Sequence, residues 1–189
     1  MRLFVAVELD KAVLAAAQDT AGALRQRIGE ALHARWVPPA RMHLTVRFIG
    51  HVKDERVPPI LEALTPPLVV APFDVALGGC GVFPPHGPPR VLWIGVTDGV
   101  SSLQAMHEAF NARLLPFGFT PEDRPYAAHL TLARVKHAAR GSGAAARAAV
   151  REIPPSAVSC RISHATLFES RLSPRGPAYV SLATIPLRT

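Results

Sequence analysis

A short motif, His-Leu-Thr followed by an aliphatic residue, occurs twice in this chain, and its repetition constrains the fold more than any other feature. The first copy (HLTV) spans residues 43–46, and the second (HLTL) spans residues 129–132, 86 positions later. Each copy lies in a run of aliphatic and β-branched residues that predicts a strand. Because successive side chains of a strand point to opposite faces, the histidine and threonine of each copy should share one face.

The segments around the two motifs are also duplicated. Three pairs recur at nearly the same offset: strands that begin at Arg2 and Arg90, helices over 10–29 and 98–115, and strands over 73–83 and 158–168. Such self-similarity indicates an internal repeat. We expect one bilobal domain over residues 1–189, with a first repeat over about 1–84 and a second over about 89–189. Two β-α-β-α-β units predict an α+β fold, in which antiparallel sheets surround a central groove, helices lie outside and a pseudo-two-fold axis relates the lobes.

The paired motifs predict an acid–base site in that groove. An imidazole has an ordinary pKa of roughly 6.5, so one neutral and one protonated histidine can coexist near neutral pH. His43 and His129, facing each other, could then deprotonate a nucleophile and protonate a leaving group in one displacement. Thr45 and Thr131 could donate hydrogen bonds to the non-bridging oxygens of a phosphoryl group, where charge accumulates.

Other site classes have little support in the sequence. No H-E-x-x-H or C-x-x-C motif occurs, Cys80 and Cys160 are the only cysteines, and no G-x-S-x-G motif marks a serine hydrolase. We therefore expect neither a metal nor a cofactor. No apolar run reaches the eighteen residues of a membrane span, and the N-terminus lacks the layout of a signal peptide. These features predict a cytoplasmic protein that does not engage a membrane.

The charge of the chain favours an anionic partner. The formal net charge is +7, and a basic surface attracts polyanions such as RNA. An arginine-rich composition can also follow from the base composition of a genome, and that alternative stays open. No feature of the sequence indicates an obligate protein partner, so we expect a monomer.

The two motifs, taken with their flanks, resemble the 2H phosphoesterase superfamily and, within it, the bacterial and archaeal RNA 2′,3′-cyclic phosphodiesterases, first named 2′-5′ RNA ligases. The resemblance spans almost the whole chain. It rests on the opening segment RLFVAV, Trp36-Val37, the first motif with its extension RFIG, RVLW from Arg90, Arg124-Pro125-Tyr126, the second motif with Ala133-Arg134, and LFES from Leu167 with Gly176 and Tyr179. Directly before the second histidine, where the family often has arginine or proline, this chain has Ala127-Ala128.

The resemblance implies metal-independent hydrolysis of an RNA 2′,3′-cyclic phosphate end to a 2′-phosphomonoester, with weak 2′-5′ ligation as a possible reverse reaction. It also implies that His43 is the proton donor to the leaving 3′ oxygen and that His129 is the proton acceptor for water. The pseudo-symmetric motifs do not by themselves distinguish these two roles.

Four further residues are candidate substrate contacts. Arg47 has the strand parity of His43 and should reach the phosphate. Arg134 has the opposite parity, so it is either a structural ion-pair partner or a contact to RNA after a bulge. Trp36 and Tyr126, near the starts of the two motif strands, are candidates for stacking on a base. We expect Phe48 to lie in the core instead.

Two other functions use the same residues. The chain could hydrolyse a small cyclic nucleotide or an ADP-ribose cyclic phosphate, or it could be a non-catalytic protein that binds RNA ends. The basic charge favours RNA over the small substrates, and an assay of a short RNA with a cyclic end, with and without a chelator, separates the three.

Overall fold

A computed structural model of the chain describes residues 1–29, 32–139, 141–154, 158–173 and 176–189. The described residues form ten strands and four α-helices. The strands are β1 (Arg2–Val7), β2 (Leu32–Trp36), β3 (Leu44–His51), β4 (Leu68–Val69), β5 (Phe73–Phe83), β6 (Val91–Asp98), β7 (His129–Ala138), β8 (Ser159–Ile162), β9 (His164–Arg171) and β10 (Ala178–Arg188). The helices are α1 (Lys11–Ile28), α2 (Val57–Leu64), α3 (Val100–Leu114) and α4 (Ser142–Arg151).

Local sequence signals set the ends of the first helix. The Asp10 carboxylate accepts a hydrogen bond of 2.9 Å from the backbone N–H of Val13 and so caps the N-terminus. Gly29 follows the last turn with a φ of 55°, a conformation that glycine adopts without strain. Between these ends, apolar side chains recur at helical spacing and are buried against the sheet: Val13, Ala17, Ala21, Leu24 and Ile28. The predicted helix over 10–29 is confirmed.

The strands form one mixed sheet in the order β4-β10-β9-β1-β3-β7-β6-β5-β8, with β2 paired to β7. All pairs of named strands are antiparallel except β10 with β4. The predicted α+β class is therefore confirmed. The two sequence copies exchange strands, since β5 of the first copy pairs with β6 and β9 of the second copy pairs with β1. Each half of the sheet is thus built from both repeats.

The two motif strands meet at the centre of the sheet. They are joined through Leu44 and Leu130, the second residues of the two motifs, which pair in antiparallel register. In that register each motif histidine lies across from the threonine of the other motif. The duplicated sequence therefore converges on one point, with the pseudo-two-fold axis beside this leucine pair.

The sheet separates a large core from a small cluster on its other face. Strand β1 is buried on both sides: Leu3, Val5 and Val7 belong to the helix-covered core, whereas Phe4 and Ala6 form a separate cluster with Phe168. This second face carries the motif histidines, because His43 stacks on Phe4.

Two features of the fold differ from the sequence expectation. The segment 158–168, expected as one strand, forms β8 and β9, which pair in opposite halves of the sheet with β5 and β1. The chain has to break between them because the two strands serve different halves of the molecule. Strand β2, which pairs with β7, is the second difference, because the sequence predicted no strand there. Among the described residues, none of the helices is both long and apolar enough to span a membrane.

Candidate active site

The two motifs line one small cavity at the centre of the sheet. Its volume is about 60 Å³, and its lining includes both motif histidines and both motif threonines together with Val37, Arg41, Arg134 and Tyr179. A second cavity of about 250 Å³ adjoins it on the β1 side and shares His43, Thr45, Arg134 and Tyr179 with it. The structure therefore brings together five of the residues that the sequence singled out, namely His43, Thr45, His129, Thr131 and Arg134.

Both histidines are oriented by the same backbone contact. Nδ1 of His43 lies 3.0 Å from the carbonyl oxygen of Arg41, and Nδ1 of His129 lies 2.7 Å from the carbonyl oxygen of Ala127. A carbonyl oxygen only accepts hydrogen bonds, so Nδ1 carries the proton in each ring. Nε2 is then the nitrogen that each ring has available to accept or donate a proton at the cavity. In both copies the carbonyl lies two residues before the histidine, so both histidines have the same tautomer.

His43 lies among aromatic rings. It stacks on Phe4 at 4.9 Å between ring centroids, and Tyr179 meets it edge-on at 5.1 Å. Burial lowers the pKa of His43 from 6.5 to about 4, against a smaller opposing effect of the hydrogen bond to Arg41, and the positive charge of Arg134 lowers it further. His43 is therefore neutral at pH 7 in the unliganded protein.

His129 has a less enclosed surrounding in the other half of the sheet. Phe83 meets its ring edge-on at 5.1 Å and Trp93 at 6.3 Å. Burial again lowers the pKa first, the bond to the Ala127 carbonyl opposes that effect, and the charge of Arg134 adds to the lowering. A single arginine thus disfavours the protonated form of both imidazoles.

A β-bulge follows the histidine and threonine in each motif strand. Along β3, Thr45 pairs with Ala6 and Arg47 pairs with Val5, so Val46 is an extra residue. Along β7, Leu132 is the extra residue between Thr131 and Ala133. A bulge inserts one residue and reverses the alternation of side chains beyond it. Val46 and Leu132 are equivalent positions of the repeat, so both copies carry the same reversal.

The bulge corrects the expectation for Arg47, whose predicted parity assumed a regular strand. Arg47 is 4% exposed and lies on the core side. Its Nη2 donates a hydrogen bond of 2.6 Å to the carbonyl oxygen of Thr120, and its Nη1 lies 3.6 Å from a carboxylate oxygen of Glu122. Burial lowers the pKa of this guanidinium, and the charge of Glu122 opposes the shift. Arg47 anchors the segment that leads to the second motif and does not reach the cavity.

The same bulge places Phe48 on the groove face, which corrects the expectation that it lies in the core. Phe48 pairs with Phe4, is 40% exposed and lines the 250 Å³ cavity beside His43. The guanidinium carbon of Arg2 lies 5.0 Å from the centre of its ring. The alternation of residue types gave no sign of this placement, because a bulge interrupts that alternation.

Arg134 occupies the position in the second copy that Phe48 occupies in the first, 86 residues earlier. It pairs with Val91 beyond the Leu132 bulge, is exposed and lines both cavities. Arg134 therefore faces the groove beyond a bulge, and its contact with RNA stays a prediction. The groove carries an aromatic ring at one copy of this position and a guanidinium at the other.

Tyr126 and Trp36, the two residues expected to stack on a base, lie elsewhere. Tyr126 stacks on His107 with a centroid distance of 4.5 Å, and burial raises the pKa of its phenol. Its hydroxyl donates a hydrogen bond of 3.1 Å to the carbonyl oxygen of Thr45, while His107 Nδ1 lies 2.7 Å from the carbonyl oxygen of Val46. The stacked pair thus holds the backbone at the first bulge, and each ring covers one face of the other.

Trp36 is half-buried on β2 and pairs with Ala133. It lines two cavities against α1, of about 930 and 470 Å³, and a third cavity of about 90 Å³ beside Arg35 and Tyr179. The two larger cavities contain neither motif histidine. The structure therefore does not bring Trp36 to the histidine pair.

Metal-binding side chains are not clustered in the part of the chain that the structure describes: no three His, Cys, Asp or Glu residues there could hold one ion together. Two arginines, Arg41 and Arg134, line the cavity with the histidines, and the charge of Arg134 lowers the pKa of both imidazoles. This arrangement can stabilise an anion and exchange protons through two Nε2 atoms.

Comparison with known proteins agrees with the duplicated architecture. The sequence profile of the LigT-like phosphoesterases matches twice, over residues 13–93 and 94–179. An RNA 2′,3′-cyclic phosphodiesterase of Archaeoglobus fulgidus is 31% identical over 96% of this chain and 98% of its own length, and one of Aeropyrum pernix is 35% identical over 77% and 82%. The crystal structure of TT0787 of Thermus thermophilus superposes with a TM-score of 0.79 at 28% identity, covering 100% of this chain and 98% of that one.

Proposed function

Because this chain belongs to the LigT-like phosphoesterase family, we propose that it hydrolyses RNA 2′,3′-cyclic phosphate ends to 2′-phosphomonoesters. Two relatives named RNA 2′,3′-cyclic phosphodiesterase match over most of their length. The observation that carries the proposal is the convergence of His43, His129 and Arg134 on one cavity. Two proton carriers and one cation are the minimum set for displacement at a phosphodiester.

The two histidines divide the proton transfers. His129 Nε2 takes a proton from water as the water oxygen bonds to phosphorus, and His43 Nε2 gives a proton to the 3′ oxygen as its bond to phosphorus breaks. Both Nδ1–H groups stay on their carbonyl partners throughout. The assignment of donor and acceptor follows the family resemblance, and the cycle closes when a proton passes from His129 back to His43 through solvent.

Substrate binding raises the pKa of His43, so that the ring takes up a proton from solvent. In the unliganded protein, burial and Arg134 hold the pKa of this residue at about 4. A bound phosphodiester anion neutralises part of the Arg134 field and adds a negative charge beside the ring, and both effects favour the imidazolium. Protonation of the acid is thereby coupled to the arrival of its substrate.

The remaining groups hold the phosphate and the base. Negative charge develops on the non-bridging oxygens of the phosphate in the transition state. The Arg134 guanidinium and the hydroxyls of Thr45 and Thr131 donate hydrogen bonds to these oxygens. Phe48 offers an exposed ring beside His43, in a cavity large enough to be the subsite of the terminal nucleoside. Arg47, Trp36 and Tyr126 have no direct substrate contact in this account.

The two alternative functions remain distinguishable. A small cyclic nucleotide or ADP-ribose cyclic phosphate would use the same cavity, but the names of the relatives and the net charge of +7 favour RNA. A non-catalytic protein would bind the RNA end without turnover. Both histidines come from one chain, so we propose that a monomer is sufficient for activity.

An assay of a short RNA with a 2′,3′-cyclic end tests the proposal. The wild-type protein should convert it to a phosphomonoester in excess chelator, because the proton transfers need no metal. The His43→Ala protein should be slower by about 10²–10⁴, while His86→Ala, which changes an exposed loop histidine, should match the wild type. Loss of activity in chelator with rescue by a divalent ion would refute the two-histidine mechanism, and binding without turnover would favour the non-catalytic function.

A further inference from the structure

Strands β2 and β7 form a ribbon that carries a row of basic side chains away from the active site. Arg35 pairs directly with Arg134, and His33 pairs directly with His137. Lys136 is the extra residue at a bulge between these two pairs. All five side chains are exposed, and neither strand contains an acidic residue. We call these five residues the basic ribbon.

The pairing within the basic ribbon concentrates positive charge on one surface. Arg35 and Arg134 are direct cross-strand partners, and both side chains are exposed. A polyanion lying along the ribbon would be attracted by the guanidinium groups and by Lys136. The arrangement therefore favours a ligand with successive negative charges.

The far end of the basic ribbon carries two exposed imidazole rings, those of His33 and His137. The rings of His33 and His137 stack with a centroid distance of 6.0 Å and an interplanar angle of 27°, and both are exposed. Bases of single-stranded RNA stack on such rings, including those of histidine. The ribbon thus combines cationic side chains with aromatic rings, as do surfaces that bind a single strand.

The basic ribbon is continuous with the catalytic cavity. Arg134 belongs to both, since it lines the cavity with the two motif histidines. A strand rises roughly 3.3 Å per residue, so His137 lies roughly 10 Å along β7 from Arg134. Nucleotides preceding the reacting end would pass over this surface if the strand leaves the cavity at Arg134.

We propose that the basic ribbon binds the RNA strand that precedes the terminal nucleotide. The proposal rests on the proposed hydrolysis of RNA cyclic phosphate ends. It goes beyond that function in naming a polynucleotide, and not a cyclic mononucleotide, as the preferred substrate. Arg35 and the stacked histidines supply the preference for length, while the chemistry stays with the motif histidines.

A length series of substrates tests the ribbon. The wild-type kcat/KM should be about tenfold higher for a short oligonucleotide with a cyclic end than for the cyclic mononucleotide with the same base. The Arg35→Gln variant and the His33→Ala/His137→Ala double variant should each lose most of that advantage through KM, and keep the mononucleotide rate. Arg188→Ala, which changes an exposed arginine at the end of β10, is the matched control and should keep both rates.

Binding of a fluorescent RNA without a cyclic end gives a second measurement that does not depend on turnover. Its affinity should fall in the ribbon variants but not in Arg188→Ala, and its salt dependence should weaken in Arg35→Gln. Equal wild-type rates on the mononucleotide and the oligonucleotide would overturn the proposal, as would a variant that slows both substrates equally. RNA binding by the ribbon with no hydrolysis of any substrate would refute the proposed function and leave the ribbon standing.

Discussion

The two halves of the site share one sequence motif but differ in the side chains that surround its histidine. His43 and His129 have the same Nδ1 contact to a carbonyl two residues earlier, and each motif strand bulges at the same position of the repeat. His43, however, stacks on a phenylalanine ring and meets a tyrosine edge, whereas His129 has only edge-on ring contacts. The duplication thus supplies two equivalent proton carriers, and the surroundings make them unequal.

The clearest difference lies just beyond the bulges, where the first copy has Phe48 and the second has Arg134. Both side chains face the groove. An aromatic ring suits a base, and a guanidinium suits a phosphate. The two repeats thus have different residues at one equivalent position, so the groove has an apolar side at Phe48 and a charged side at Arg134. Such a difference is needed to bind an asymmetric substrate in one direction.

The largest loss should follow removal of either imidazole. We expect His43→Ala and His129→Ala each to lower kcat by about 10²–10⁴, the range for a general acid or base. The double variant should lose little more than either single one, because the two act in the same step. Steady-state rates measured alongside thermal unfolding check this. If one variant kept near wild-type turnover, the two histidines would not form a pair.

The next largest loss should follow removal of the shared cation. Arg134→Ala should lower kcat by about 10²–10³, as expected for loss of a group that stabilises transition-state charge. Arg134→Lys keeps the charge but not the forked geometry, so its kcat should lie between those of the wild type and Arg134→Ala. A rate for Arg134→Ala close to the wild type would mean that another group holds the phosphate.

Arg134 also gives a pH signature. Because the pKa values of both histidines are lowered in the free protein, the singly protonated pair is most populated below pH 6.5, and the bell of kcat/KM should be centred there. The limbs report macroscopic values of the pair. Arg134→Ala removes a charge that lowers both pKa values, so its bell should move to higher pH, whereas Arg134→Lys should leave it in place.

A smaller, substrate-specific effect should follow at Phe48. Stacking on a base contributes about 1–3 kcal/mol by alanine substitution, so Phe48→Ala should lower kcat/KM by about tenfold, mainly through KM. Phe48→Trp keeps a ring and should retain activity. A matched control is Phe119→Ala, since Phe119 packs elsewhere, under Arg56. Equal losses in Phe48→Ala for base-containing and abasic substrates would argue against a base subsite.

The smallest effect on kcat should follow a change at Tyr126, whose hydroxyl holds the backbone of the first motif. Tyr126→Phe removes the hydrogen bond to the Thr45 carbonyl and should lower the free energy of unfolding by about 0.5–1.5 kcal/mol. Its effect on kcat should be only a few-fold, because His107 still holds the Val46 carbonyl. Denaturant unfolding and kcat measured on the same protein separate the two effects. A loss of kcat as large as that of His43→Ala would mean that Tyr126 takes part in the chemistry.

How far the sequence predicts the site depends on the regularity of each strand. His43 and Thr45 precede the first bulge, so alternation placed them on the correct face. Arg47 and Phe48 follow it, so the same alternation reversed both. The rule was sound, but a one-residue insertion in a strand leaves no periodic signal. The Phe48–Arg134 equivalence of the repeats was the one available clue.

The exchange of strands between the two repeats could not be predicted from the sequence either. The duplication in sequence predicted two lobes, and each lobe was expected to follow its own repeat. Instead β5 and β9 cross to the opposite halves. Strand propensity is the same for either partner, so only the tertiary pairing decides which edge each strand joins. The helix α1, by contrast, was predictable end to end, because its cap and its apolar stripe are local signals.

Phosphorus NMR of the hydrolysed RNA end tests most directly whether the unequal halves fix the direction of the substrate. The reaction should be run to completion in excess chelator, with a short RNA carrying a 2′,3′-cyclic phosphate. With the base on the Phe48 side and His43 beside the 3′ oxygen, the account predicts a single phosphomonoester on the 2′ oxygen. A dominant 3′-phosphate, or an even mixture of the two, would contradict it by showing that the two halves do not distinguish one end of the substrate from the other.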